Sequence, residues 1–240
     1  MTNSNGAPRS PGTDSLARST IGAKVVMAVT GAVWLGWLIA HMLGNLGVFA
    51  GRDTFNAYAA LLQTSGLVLW GMRLTMLAAL VAHVGAAMRL SALNLAARPH
   101  QYARKQHLRA SFAGRFMLVS GLLVLAFVVY HLLHFTLGVT HPDHFNVVDA
   151  QGRHDAYGML VRGFQTPLVA AIYLVALAAL SLHLSHAITS MLNTFGITTD
   201  GHPFFSRVGP AIATILILGN VAIVLGVSRD LQPDPGVISR

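Results

Sequence analysis

Five long apolar stretches constrain what this chain can fold into. They run over roughly residues 24–50, 67–91, 115–139, 166–192 and 208–227, and each has at least the about 20 residues that a helix needs to cross a bilayer core. Lipid offers backbone N–H and C=O groups no partner, so segments of this kind span as α-helices. The composition agrees, with 54% apolar and 10% charged residues over a length of 240. The expected fold is all-α, an integral membrane bundle of five transmembrane helices. Residues 19–228 form one membrane domain. A polar tail, expected to be disordered, precedes it at 1–18, and a second polar tail follows at 229–240.

The charge distribution gives an orientation. The net charge is +8 with histidines neutral. Arg9, Arg18, Lys24, Arg89, Arg98, Arg104, Lys105, Arg109, Arg115 and Arg207 fall on one side of a five-helix arrangement. Arg52, Arg73, Arg153, Arg162, Arg229 and Arg240 fall on the other. The positive-inside rule then expects a cytoplasmic N-terminus, an outer C-terminus and a multi-pass protein of the cell inner (cytoplasmic) membrane. The densest cluster, Arg98 to Arg115, reads either as a topology signal touching anionic membrane lipid or as a dock for a cytoplasmic partner. Pressed against a bilayer, it is no nucleic-acid site. With no cysteine, the chain offers no disulfide, no thiolate for an iron–sulfur cluster and no covalent haem attachment.

Between the spans, residues 51–66 mix polar and apolar positions and suit a short interfacial helix outside. Residues 92–114 and 193–207 are expected in the cytoplasm, and 140–165 as an outer loop. Pro167 sits in the first turn of the fourth helix, where proline is tolerated, and Pro210 is expected to do the same for the fifth.

Twelve histidines are many for this length, and six fall within spans: His41, His83, His131, His134, His183 and His186. Polar groups in a membrane are costly and tend to be functional. Their depths form a pattern. His41 and His131 each lie about five residues past the middle of an outward-running helix, so both are displaced outward by about 7 Å. His83 and His183 each lie about four residues past the middle of an inward-running helix. The result is two layers about 13 Å apart, each holding two histidines from different helices. Two imidazoles at one depth suit the axial positions of a haem iron. Small residues flank them: Ala176, Ala179, Ala187 and Ser190 around His183, Ala79, Ala86 and Ala87 around His83, and Gly44 and Asn45 after His41. They give a flat ring room near the backbone, although close helix packing alone also favours them.

His134 and His186 follow ligand candidates by three residues, in H-L-L-H and H-L-S-H. Choosing either as ligand spoils a depth match. Both are read as hydrogen-bonding residues, toward haem propionates or between helices. Arg73, Arg89, Arg115 and Arg162 lie near helix ends where propionates would emerge, or where long cationic side chains reach for water. H-P-D-H at 141–144 is a weak metal motif and fits a solvated or quinone-facing loop better.

The stretches GAKVVMAVTGAVWLGWLIAHMLGNL, AHVGAAMRL, YHLLHF and LHLSHAITSMLNTFG, in this order, resemble the diheme cytochrome b membrane anchor of succinate:quinone oxidoreductases of the single five-helix type. The resemblance covers about residues 20 to 227. It implies two b haems, a distal one on His41 and His131 and a proximal one on His83 and His183. It also implies an iron–sulfur subunit and a flavoprotein subunit as partners, and a quinone (menaquinone or ubiquinone) as electron acceptor or donor. Some members carry a glutamate two residues before the fourth-helix histidine for transmembrane proton transfer. Here that residue is Ser181, and all eight acids are aspartates in loops or tails, so such a carboxylate path is not expected. Two other readings stay open on the residues alone. One is the diheme anchor of another quinone-linked dehydrogenase or a hydrogenase, and the other is a haem-free transporter with a histidine proton relay.

Overall fold

The structure, a computed structural model, describes residues 19–96, 112–198 and 203–228. Both tails and the basic loop from Arg98 to Arg109 lie outside the described residues. Among those described the fold is helical, with a single isolated bridge between Val148 and His154. In chain order the helices are α1 (Thr20–Leu46), α2 (Arg52–Gln63), α3 (Gly66–Ala96), α4 (Phe112–Arg115), α5 (Met117–His131), α6 (Pro142–Phe145), α7 (Ala156–Gln165), α8 (Pro167–Thr194) and α9 (Pro203–Ser228). Five helical stretches are long and apolar enough to cross a membrane: Thr20–Ala50, Gly66–Ala96, Met117–Thr136, Pro167–Thr194 and Phe204–Ser228.

Local chemistry sets several boundaries. Ser19 caps α1, its hydroxyl accepting from the Gly22 N–H at 2.9 Å. A short 3₁₀ turn, Gly47–Ala50, ends that span, and Gly51 at φ +93° turns the chain into α2. α5 runs into a π-helical turn, Leu132–Thr136, in which the Leu137 N–H donates to the Leu132 carbonyl at 2.9 Å. The third span therefore stops at Thr136, short of the expected 139.

Two further expectations need correction. Residues 140–165 are not simply a loop, because they contain α6 and the well-buried α7. α7 is too short to span, but Met159, Leu160, Val161 and Phe164 give it an apolar face that packs into the main core. Asp155 caps it, accepting from the Gly158 N–H at 3.0 Å. Pro210 lies inside α9 and does not start it. The helix begins at Pro203, and the missing Pro210 N–H removes one hydrogen bond from its interior.

α8 is the centre of the bundle. It packs on α9, α5, α1 and α7. Its contact with α9 is close: a Cβ on Gly209 would overlap the Thr189 hydroxyl and the Ser185 carbonyl. α1 packs on α3, α8 and α9. The α1–α5 and α3–α8 pairs are not among the packed ones. One apolar cluster joins Val48, Phe55, Leu160, Phe164, Tyr173 and Ile223 near the α2–α7 end. A second joins Met42, Leu184, Ile188, Ala213 and Leu216.

Candidate functional site

The structure brings the four layered histidines together as two facing pairs. The His41 and His131 rings have centroids 5.7 Å apart at 90°, and those of His83 and His183 are 6.4 Å apart at 63°. Each pair joins helices that are not packed on one another, α1 with α5 and α3 with α8. Two imidazoles bound to opposite sides of one metal, with bonds of about 2 Å, place their centroids roughly 6 Å apart. The rings thus stand at the separation for a metal between them. Two imidazoles per couple are a donor set that would fit bis-histidine haem ligation.

The surroundings of each pair differ. Trp37 stacks on His41 at 5.7 Å, and Phe127 lies 5.9 Å from His131. In the other pair, glycines pass beneath both rings. A Cβ on Gly31 would lie 3.5 Å from His83 Cε1, and one on Gly121 would lie 3.3 Å from His183 Cε1. Ala79, Ala86, Ala176 and Ala179 are buried on the same helices as His83 and His183.

Hydroxyl groups meet three of the histidines at Nδ1. Thr30 Oγ1 lies 3.1 Å from His83 Nδ1 and donates to the Val26 carbonyl at 2.7 Å. The Tyr173 hydroxyl lies 3.3 Å from His131 Nδ1 and 3.1 Å from His134 Nδ1. Sequence reading missed both residues. A threonine early in α1 and a tyrosine early in α8 carry no local signal, and only the packing of α1 on α3 and of α5 on α8 reveals their role.

His134 sits in the π-helical turn, 1% exposed, with its ring stacked on Phe135 at 3.9 Å. His141 is 4.9 Å away and His144 a further 5.4 Å. Among the described residues no group of three or more His, Cys, Asp or Glu side chains could hold a metal ion, and H-P-D-H brings no such group together. His186 is half-buried on α8, and Asn45 is half-buried near the end of α1. Arg73 lies over its helix neighbour Trp70 at 5.2 Å, Arg89 is half-buried, and Arg115 is exposed at the end of α4. Arg162 pairs with Asp155 at 3.5 Å.

That last contact belongs to a polar network at the α2–α7 end. Asn56 and Asp155 are fully buried there. The Asn56 amide donates to Asp149 and Asp155, both at 3.1 Å, and its oxygen accepts from the Tyr157 N–H at 2.9 Å. Arg153 donates to Asp149 at 2.8 Å and to Asp53 at 2.6 Å. Burial works to raise the Asp149 carboxyl, but the Arg153 backbone N–H, the Arg153 guanidinium and the Asn56 amide outweigh it and hold the group below its ordinary range. Burial, with His141 and Arg162 nearby, pushes His144 down. In comparisons with protein-family models, curated proteins and solved structures, nothing matches the chain.

Proposed function

We propose that this chain is the diheme cytochrome b anchor of a succinate dehydrogenase. In this reading it passes electrons from an iron–sulfur subunit, itself served by a flavoprotein, to menaquinone or ubiquinone in the cell inner membrane. The observation that carries the reading is the pair of facing histidine couples, each drawn from two helices that do not pack together. His41 and His131 hold one haem and His83 and His183 the other, with the first pair toward the outside. When bound, the haems supply one-electron redox chemistry. The chain's own contribution is to place four imidazoles, keep their ring orientation and flank them with small residues. With two imidazoles available to each haem, His41 with His131 and His83 with His183 would favour electron transfer over oxygen chemistry.

The test is haem quantification on the purified protein with identification of the subunits that copurify. Two non-covalent b haems per chain, together with a flavoprotein and an iron–sulfur protein, support the reading. Two haems with hydrogenase or formate dehydrogenase subunits point to another anchor. A haem-free protein refutes both and favours a histidine-relay transporter.

A further inference from the structure

We infer that Thr30 and Tyr173 are positioning residues that fix the tautomers of His83 and His131 and so set which nitrogen faces the metal and how strongly it donates. The inference rests on the diheme reading.

The argument is one of proton counting. A neutral imidazole carries one N–H, and only its other nitrogen can bind a metal. The Thr30 hydroxyl has one proton, and it goes to backbone carbonyls, Val26 at 2.7 Å and Met27 at 3.2 Å. Toward His83 Nδ1, at 3.1 Å, the same oxygen can then only accept. His83 therefore carries its proton on Nδ1, and Nε2 keeps the free lone pair.

Tyr173 solves a harder problem, because its single hydroxyl lies between two Nδ1 atoms. One proton allows two arrangements. Either His131 donates to the tyrosine oxygen and the tyrosine donates to His134, or the order is reversed. The reversed order would leave His134 Nε2 as the free lone pair. That atom has no room for a metal-bearing ring: His134 is 1% exposed, and a Cβ on Gly163 of α7 would lie 3.2 Å from Nε2. His131, by contrast, faces the His41 ring at 5.7 Å. The chain of donation thus runs from His131 Nδ1–H to the Tyr173 oxygen, and from Tyr173 O–H to His134 Nδ1. His134 then keeps its proton on Nε2, a buried atom with no hydrogen-bond partner, and cannot compete; that unpaired N–H is the cost of the arrangement. The two histidines of H-L-L-H are told apart by one hydroxyl.

An imidazole whose Nδ1–H is accepted by a partner is a better donor at Nε2 and stabilises the oxidised metal. Redox titration and electron paramagnetic resonance of the purified complex test this with Tyr173→Phe, Thr30→Val and Thr30→Ser. Tyr173→Phe keeps the ring packing and should shift to more positive potential only the haem that His131→Ala removes. Thr30→Val should shift only the other haem in the same direction, and Thr30→Ser should restore it. If Tyr173→Phe does not assemble, the comparison of Val with Ser at position 30 decides, since a packing role would not follow the hydroxyl. Two haems whose potentials and low-spin signals ignore Tyr173→Phe, or are equal in Thr30→Val and Thr30→Ser, overturn the inference alone. A wild-type protein without haem overturns the functional reading beneath it.

Discussion

Arg52 Nη1 lies 2.6 Å from the Asp155 carboxylate, a contact that joins the first residue of α2 to the N-cap of α7 across 103 positions of sequence. The carboxylate is fully buried and also receives Asn56 and the Gly158 N–H. Replacing Asp155 by Ala removes the cap and leaves Arg52 and Arg162 without this partner, at a cost of about 3 kcal/mol. Hydrogen exchange should show α2 and the start of α7 opening together, while α8 and α9 keep their protection. Unchanged exchange in α2 would mean that the ion pair does not hold it.

The same end of the molecule should be acid-sensitive. The Asp149 carboxyl is held below its ordinary range. Its contribution is complete above the unfolded value of about 3.9 and is lost as pH falls through the lower folded value. His144 is also pushed down. Its loss starts earlier, as pH falls below the unfolded value of about 6.5. Protease accessibility of residues 137–166 should therefore rise in two stages on acidification. His144→Gln should reduce the first stage, to which His154, also pushed down by burial, contributes, and Asp149→Asn should abolish the second.

Gly121 and Gly31 make a matched pair for testing crowding beneath the rings. A methyl group at 121 comes within 3.3 Å of His183 and must displace it by a few tenths of an ångström, whereas at 31 the approach of 3.5 Å is an ordinary contact. Gly121→Ala should alter the low-spin resonance of the His83–His183 haem and leave the other unchanged. Gly31→Ala should alter neither. Equal effects would mean that backbone changes, not ring contact, dominate.

Ligand pairing has its own test. His41→Ala and His131→Ala should remove one and the same haem, and His83→Ala and His183→Ala the other. His134→Ala and His186→Ala should leave both low-spin. Loss of the same signal in His41→Ala and His183→Ala would break the pairing.

Orientation is open to chemical labelling, because the chain has no cysteine. Ala150 is exposed beside the buried Asp149. Ala150→Cys should react with an impermeant thiol reagent from outside intact cells. Reaction only after lysis reverses the orientation.

Much of this architecture was legible because membrane solvation is a one-dimensional constraint. A run of apolar residues gives the span, and counting along it gives each histidine's depth. That coordinate places His41 with His131 and His83 with His183, as the helices place them. What depth cannot give is azimuth. Thr30 and Tyr173 matter because of the directions in which α1 and α8 face their neighbours, and nothing within either helix encodes that. α7 was missed for a related reason. Arg162 and its short length disguise a helix whose apolar face is satisfied by protein and not by lipid. The Asn56–Asp149–Asp155 cluster draws on residues 93 and 99 positions apart, beyond any local pattern.

The unpacked α1–α5 and α3–α8 pairs have a consequence for the order of synthesis. His41 and His83 leave the ribosome on the first two spans, which pack directly on each other. Their partners His131 and His183, and the Tyr173 hydroxyl, arrive on the third and fourth. Each couple therefore joins an early half of the chain to a late half. A nascent polypeptide ending before α8 has His41 and His131 but lacks both Tyr173 and His183. Each couple is a seam, closed late, between the first-made part of the chain and the last.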